Sequence, residues 1–267
     1  MKIGSPQNPK VKYVIKLRKH GFRSKQTEML IEGLNEVMMA FNNLIKIETI
    51  FFCSELFTPE SYDLLNKLQS ESPRLLFEVT EDIFQKISYR ENPDGWLAIA
   101  KISSKKLTDI KLSKSPLIII AESVEKPGNL GTILRSADAT GADAVILTDP
   151  TTDIYNPNVI RASIGAIFSV PTIETSNEEV LKWLRMNNFQ VLGAICDAKL
   201  EYTKIDMNKP TALIVGTEKT GLSDFWLKNC DFPIIIPMLG QVNSLNVATA
   251  TAIILYEVVR QRQINDL

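Results

Sequence analysis

The sequence predicts an α/β protein in two parts, the second built on a mostly parallel sheet. Two observations carry this reading. Short Val/Ile/Leu runs alternate with segments of helical apolar spacing through both halves. The polar, Lys-rich stretch SKKLTDIKLSKSP, Ser104 to Pro116, interrupts that alternation and closes on a proline. Residues 1–104 are therefore read as one domain, 105–116 as a linker and 117–267 as a second domain.

In the first domain Leu30, Leu34, Val37, Met38 and Phe41 recur at helical spacing, which predicts one helix over TEMLIEGLNEVMMAFNN. IETIFFC, RLLFEV and GWLAIAKI read as strands, PESYDLLNKLQS and EDIFQKIS as helices. In the second domain PLIIIAE, DAVILTD, FSVPTIE, FQVLGAIC, TALIVG and FPIIIPM read as strands. NLGTILRSADATG, NPNVIRASIGAI, EEVLKWLRMNN and SLNVATATAIILYEVVRQR read as helices between them. Strands this uniformly apolar suit a parallel sheet covered on both faces. Ligands of such sheets bind on the loops beyond the carboxyl ends of the strands.

Composition removes several classes of function. No apolar run reaches the ~18 residues of a membrane span, and the N-terminus has no continuous apolar segment of a secretory signal. Cys53, Cys196 and Cys230 are odd in number and lack metal spacing, so they read as buried, reduced thiols of a cytoplasmic protein without a metal. The one histidine, His20, leaves no His-based dyad in the C-terminal half. Net charge is only −1, yet Lys2, Lys10, Lys12, Lys16, Arg18, Lys19, Arg23 and Lys25 all precede the first acidic residue, Glu28. That block is either a phosphate-contacting surface or a solvated helix face.

Three loops hold the unusual residues. In EKPGNLGTILRSADATGAD, Gly128 and Gly131 flank Asn129 at a strand-to-helix junction, and Arg135 follows six residues after Asn129. The glycine spacing fails the dinucleotide pattern, although an Asn here is also an ordinary helix cap. TALIVGTEKTGLS resembles a phosphate loop, but Leu222 stands where its lysine belongs, and Glu218 would repel a polyphosphate and suit a cationic ligand or an arginine. In IIIPMLGQVNSLNVATATA, Ser244 is a candidate cap for the last helix, and Asn246 has no such explanation. With no metal cluster and no paired catalytic acids, such loops suit a reaction that needs positioning more than acid–base power. Alkyl transfer from a sulfonium donor is one.

Four segments, NLGTILRSADATGADAVIL, DIYNPNVIRASIGAIFSVP, LIVGTEKTGLS and IPMLGQVNSLNVATATAIILYE, resemble in order the motifs of the SpoU (TrmH) branch of the SPOUT methyltransferases. The resemblance covers about residues 116–260, and the N-terminal EGLNEV is similar to the family's L30e-like substrate-binding domain. It implies a parallel sheet with a deep trefoil knot, a homodimer, and transfer of methyl from S-adenosylmethionine to a ribose 2′-hydroxyl in RNA. By motif position Gly193, Gly216, Ile236 and Leu245 would line the cofactor site. Arg135 would carry the chemistry with Asn129, Glu218, Ser244 and Asn246 in support. A guanidinium stays protonated, so Arg135 is expected to stabilise the developing alkoxide and grip the adjacent phosphate rather than act as a base. Ribosomal RNA, 23S in particular, is favoured as substrate. A transfer-RNA methyltransferase and a catalytically idle RNA-binding or ribosome-assembly protein of the same fold are the alternatives.

Overall fold

The computed structural model describes residues 2–264; Met1 and residues 265–267, at the outer ends of the two predicted domains, lie outside the described residues. The first run of elements is α1 (Pro9–Leu17), α2 (His20–Gln26), β1 (Glu28–Glu32), α3 (Leu34–Asn42), β2 (Ile47–Phe52), α4 (Pro59–Glu71), β3 (Leu76–Glu78), α5 (Glu81–Ile87) and β4 (Trp96–Lys101). The second is β5 (Leu117–Glu122), α6 (Pro127–Ala139), β6 (Ala144–Thr148), α7 (Pro157–Ala162), α8 (Ala166–Ser169), β7 (Thr172–Thr175) and α9 (Asn177–Met186). Then follow β8 (Gln190–Ala194), β9 (Leu200–Glu201), β10 (Thr211–Val215), α10 (Asp224–Asn229), β11 (Phe232–Ile235) and α11 (Val247–Ile264). Two compact units result: Met1–Ser103 with Asp153–Ser169, and Ser104–Thr152 with Val170–Leu267.

The first unit carries a four-stranded mixed sheet, ordered β1-β4-β2-β3, in which only β2 and β3 run parallel. Helix α1 starts where Asn8 accepts the Lys10 amide at 2.9 Å and Pro9 needs no partner for its nitrogen. Its Val11, Val14 and Leu17 join Ile83, Phe84 and Ile87 of α5 over Leu30, Phe51 and Leu97 of the sheet. Each such buried aliphatic stabilises by roughly 1.5–3 kcal/mol.

The single helix expected over residues 27–43 is instead strand β1, Gly33 and helix α3. Met29, Leu30 and Ile31 are consecutive and all buried, a strand covered on both faces. Gly33 then turns the chain at φ 116°, and a Cβ there would lie 2.1 Å from Glu36 Oε2. Helical spacing across that turn was coincidence.

Asp153–Ser169 also departs from the sequence boundaries, which leave it in the second domain. It folds within the first unit, α7 against β1 and α8 against α3. Arg23 of α2, 3% exposed, pairs with Asp153, and His20 Nδ1 lies 2.9 Å from the same carboxylate. Buried this deeply, the guanidinium requires that counter-charge. Cys53 is buried as expected, but Cys196, in the segment just after β8, is exposed, and all three cysteines are free.

The second unit is a wholly parallel seven-stranded sheet, ordered β7-β6-β5-β10-β8-β11-β9. Every residue of β5, β6 and β10 is buried, matching the uninterrupted apolar runs. The expected linker belongs to this unit: Leu107, Ile110 and Leu112 pack with the core around Val180 and Trp226. Strand β9 and helix α10, two and six residues long, are too short for periodicity to announce.

Candidate active site

Because all seven strands point one way, the segments leaving β5, β10 and β11 emerge on the same edge. Strands β5 and β10 are direct neighbours, Ala121 opposite Val215, so the segments 123–126 and 216–222 begin side by side.

The segment after β10 folds back on itself. Thr217 and Gly221 exchange backbone hydrogen bonds of 3.0 and 3.1 Å, and Thr217 Oγ1 accepts the Thr220 amide at 2.9 Å. A Cβ on Gly216 would sit 2.2 Å from the Gly221 carbonyl oxygen. Glycine at 216 thus serves the loop's own closure, and the tip so formed carries Glu218.

Asn129 is the third residue of α6, not its cap. Its Nδ2 donates to Glu218 Oε1 at 3.0 Å. Asn246, rather than Ser244, caps α11, accepting the Ala248 amide on Oδ1 at 3.0 Å. Its Nδ2 donates to Asn129 Oδ1 at 3.0 Å and to Glu218 Oε1 at 2.8 Å. Lys126, just ahead of α6, pairs with Glu218 Oε2. The Lys126 hydrogen bond, and then that of Asn129, hold the Glu218 carboxyl below the usual carboxylate range, so it is ionised at neutral pH.

Four of the nine expected site residues, Asn129, Gly216, Glu218 and Asn246, therefore come together. Asn129, Gly216 and Glu218 line a cavity of about 50 Å³ together with Val124, Lys126 and Val247, and Asn246 is joined to it through Glu218. The others stand outside it. Arg135 is exposed on α6, with no side-chain hydrogen bond or ion pair among the described residues. Ser244 is exposed and, among the described residues, its hydroxyl reaches only Asn243 Oδ1, at 3.4 Å. Gly193 is buried within β8, where a Cβ would press on Leu222 and Cys230 at 3.1 and 3.2 Å. Ile236 and Leu245 are half-buried and line no part of the cavity. Sequence reasoning missed Lys126, although a charge set directly before Pro-Gly-Asn at a strand-to-helix junction was visible.

The segment between β11 and α11 has a further property. Among the described residues, no backbone amide from 238 to 245 donates a hydrogen bond. Apolar side chains stand out from it, Leu239 at 98% and Val242 at 66% exposure. Among the described residues no cluster of three or more His, Cys, Asp or Glu is arranged to hold a metal, and no helix is long and apolar enough to cross a membrane.

An open parallel sheet with a cavity beyond the carboxyl ends of its strands is the arrangement of ligand-binding α/β proteins. Comparison with known proteins makes the class specific. Residues 116–256 match the SpoU rRNA Methylase family, and residues 8–98 match the MRM3-like substrate binding domain. The chain is 32% identical over 254 residues to 23S rRNA (guanosine(2553)-2′-O)-methyltransferase RlmP of Bacillus subtilis (strain 168), covering 95% of this chain and 97% of that one. A solved RNA 2′-O ribose methyltransferase superposes with a TM-score of 0.87 at 38% identity, over 98% of this chain and 100% of the other. The AdoMet-bound rRNA methyltransferase of Sinorhizobium meliloti does so with a TM-score of 0.86 at 31% identity, over 97% of each chain. The chain belongs to the SpoU rRNA methylase family and is an RNA methyltransferase that uses S-adenosylmethionine.

Proposed function

We propose that this chain transfers the methyl group of S-adenosylmethionine to a ribose 2′-hydroxyl of 23S ribosomal RNA. One observation carries the reading: Asn129, Glu218 and Asn246, from three separate family motifs, are hydrogen-bonded to one another at a single cavity. The relative named for that reaction on 23S rRNA aligns over nearly the whole of both chains, which favours ribosomal over transfer RNA.

The residues present suit the cofactor. Val124 and Val247 give apolar walls, Glu218 an anion for a cationic ligand, and residues 238–245 a run of unengaged backbone donors. The enclosed 50 Å³ is well below the roughly 300–1,000 Å³ of small-molecule sites. The cavity therefore takes part of the molecule, and the segment carrying Ile236 and Leu245 takes the rest, with Gly193 and Gly216 behind it. Bound there, S-adenosylmethionine supplies a methyl group on a cationic sulfur that departs as a neutral thioether.

The chain's own residues do the positioning. Arg135, whose guanidinium offers donors and no acceptor, binds the phosphate beside the target ribose and stabilises the alkoxide developing on the 2′-oxygen; the hydroxyl proton passes to that phosphate or to water. Asn129, Asn246 and Ser244 orient the sugar, and holding acceptor and methyl in line is the main source of rate.

The first unit binds the RNA. Lys12 and Lys16 stand exposed four residues apart on one face of α1, and Lys19, also exposed, follows in the turn before α2. Arg23 is taken up by Asp153 and plays no part. Leu239, Val242 and Tyr256, exposed apolar residues of the second unit, fit a homodimer contact. We also hold the C-terminal segment to be threaded as the family's trefoil knot and the protein to act in the cytoplasm.

The test is ribose-methylation mapping of total RNA from a deletion strain beside its parent. Loss of one 2′-O-methyl group from 23S rRNA is expected. Loss from transfer RNA alone, or no loss, overturns the proposal.

A further inference from the structure

Beside the cavity lies a polar network, centred on the buried Glu122 and Asn177, that the reaction does not use. Glu122 ends β5 and is 3% exposed. Its Oε2 accepts the Ser223 amide at 2.8 Å, and its Oε1 accepts the Ser223 hydroxyl at 2.6 Å and Asn177 Nδ2 at 3.3 Å. Asn177, the first residue of α9, donates also to Asp149 Oδ2 at 3.0 Å and accepts the Trp226 indole N–H at 2.6 Å. All three donors to Glu122 are neutral.

Burying a carboxyl group among neutral partners costs more than burying an apolar side chain of like size. Its place in the fold gives the compensating reason. Ser223 is where the loop carrying Glu218 comes back down to α10. The rising limb of that loop is fixed to β5 by the ladder, Val215 opposite Ala121. The returning limb is fixed to the next residue of the same strand, through Glu122 and Ser223. Strand β5 then continues into Val124, Glu125 and Lys126, which form the facing wall of the cavity. One carboxylate thus sets the spacing between both walls.

We propose that Glu122 is a positioning residue for cofactor binding, acting through Ser223 to hold the 216–222 loop at a fixed distance from the 124–126 wall. The inference rests on the cofactor reading given above. It is tested by calorimetric titration of the full chain with S-adenosylmethionine, comparing wild type with Glu122→Gln, Ser223→Ala and the double variant. Glutamine keeps the shape of Glu122 but cannot accept from both Ser223 donors and Asn177 together.

Cutting this link lets the 216–222 loop shift away from the 124–126 wall, so each single variant should raise the Kd for S-adenosylmethionine by about tenfold. The double variant should be no weaker than the worse single one, because both cut the same link. RNA affinity should not change. A purely structural role would lower Tm and leave the cofactor Kd of the folded protein at the wild-type value; that result in Glu122→Gln and Ser223→Ala overturns the proposal alone. Absence of binding by the wild-type chain overturns the cofactor reading and takes this proposal with it.

Discussion

Glu218 carries little meaning as a letter in a loop and a great deal once its neighbours are known. One oxygen faces two amides, the other a lysine, and the set keeps the carboxyl ionised below its ordinary range. A depressed carboxyl stabilises the fold above its unfolded-state pKa and loses that contribution as pH falls through the folded value. Lys126→Met removes the largest cause of the depression, so the acid limb of the methylation rate should move to higher pH. A pH–rate profile unchanged from wild type would exclude the Glu218 charge from the rate. Asn246 shows the same economy of atoms, its oxygen capping α11 and its amide reaching Asn129 and Glu218.

Among the elements, the hairpin after β10 is the least tolerant of change. Its closure puts the Gly221 carbonyl where a side chain at 216 would begin, and neither partner is a flexible side chain that could yield. Gly216→Ala should therefore cost about 2–3 kcal/mol, the upper part of the usual overpacking range, and displace Glu218 from Asn129 and Asn246. Thermal unfolding and cofactor titration check this together: a lower Tm with weakened S-adenosylmethionine binding is expected, and wild-type behaviour in both would show that the loop opens readily. The helix bearing Arg135 is different in kind. Leu130, Ile133, Leu134 and Ala137 bury one face of α6, which packs on α11, and Arg135 is left on the exposed side.

For the molecule as a whole, the consequential feature is that one unit is built from two stretches of chain. Val159, Ile160, Ile167 and Phe168 are buried inside the first unit, yet they lie in sequence between β6 and β7 of the second sheet. A fragment of residues 104–267 would keep these side chains and lose what covers them. Gel filtration of that fragment should show self-association, since four uncovered apolar residues make a sticky patch. A monodisperse fragment that binds S-adenosylmethionine would show that 153–169 does not need the first unit.

The apolar runs alone determined the parallel sheet, because β5, β6 and β10 are buried on both faces and such strands have no polar alternation to hide behind. Motif order likewise marked Asn129, Gly216, Glu218 and Asn246 before any geometry was known. Only the tertiary structure decided the rest. Periodicity cannot see a strand that runs into a helix through Gly33, nor a segment whose partners lie over a hundred residues away, as Arg23 and Asp153 do. Nor could it name Lys126 or Glu122, whose roles exist only because parallel strands bring β5 and β10 side by side and set their exits against one another.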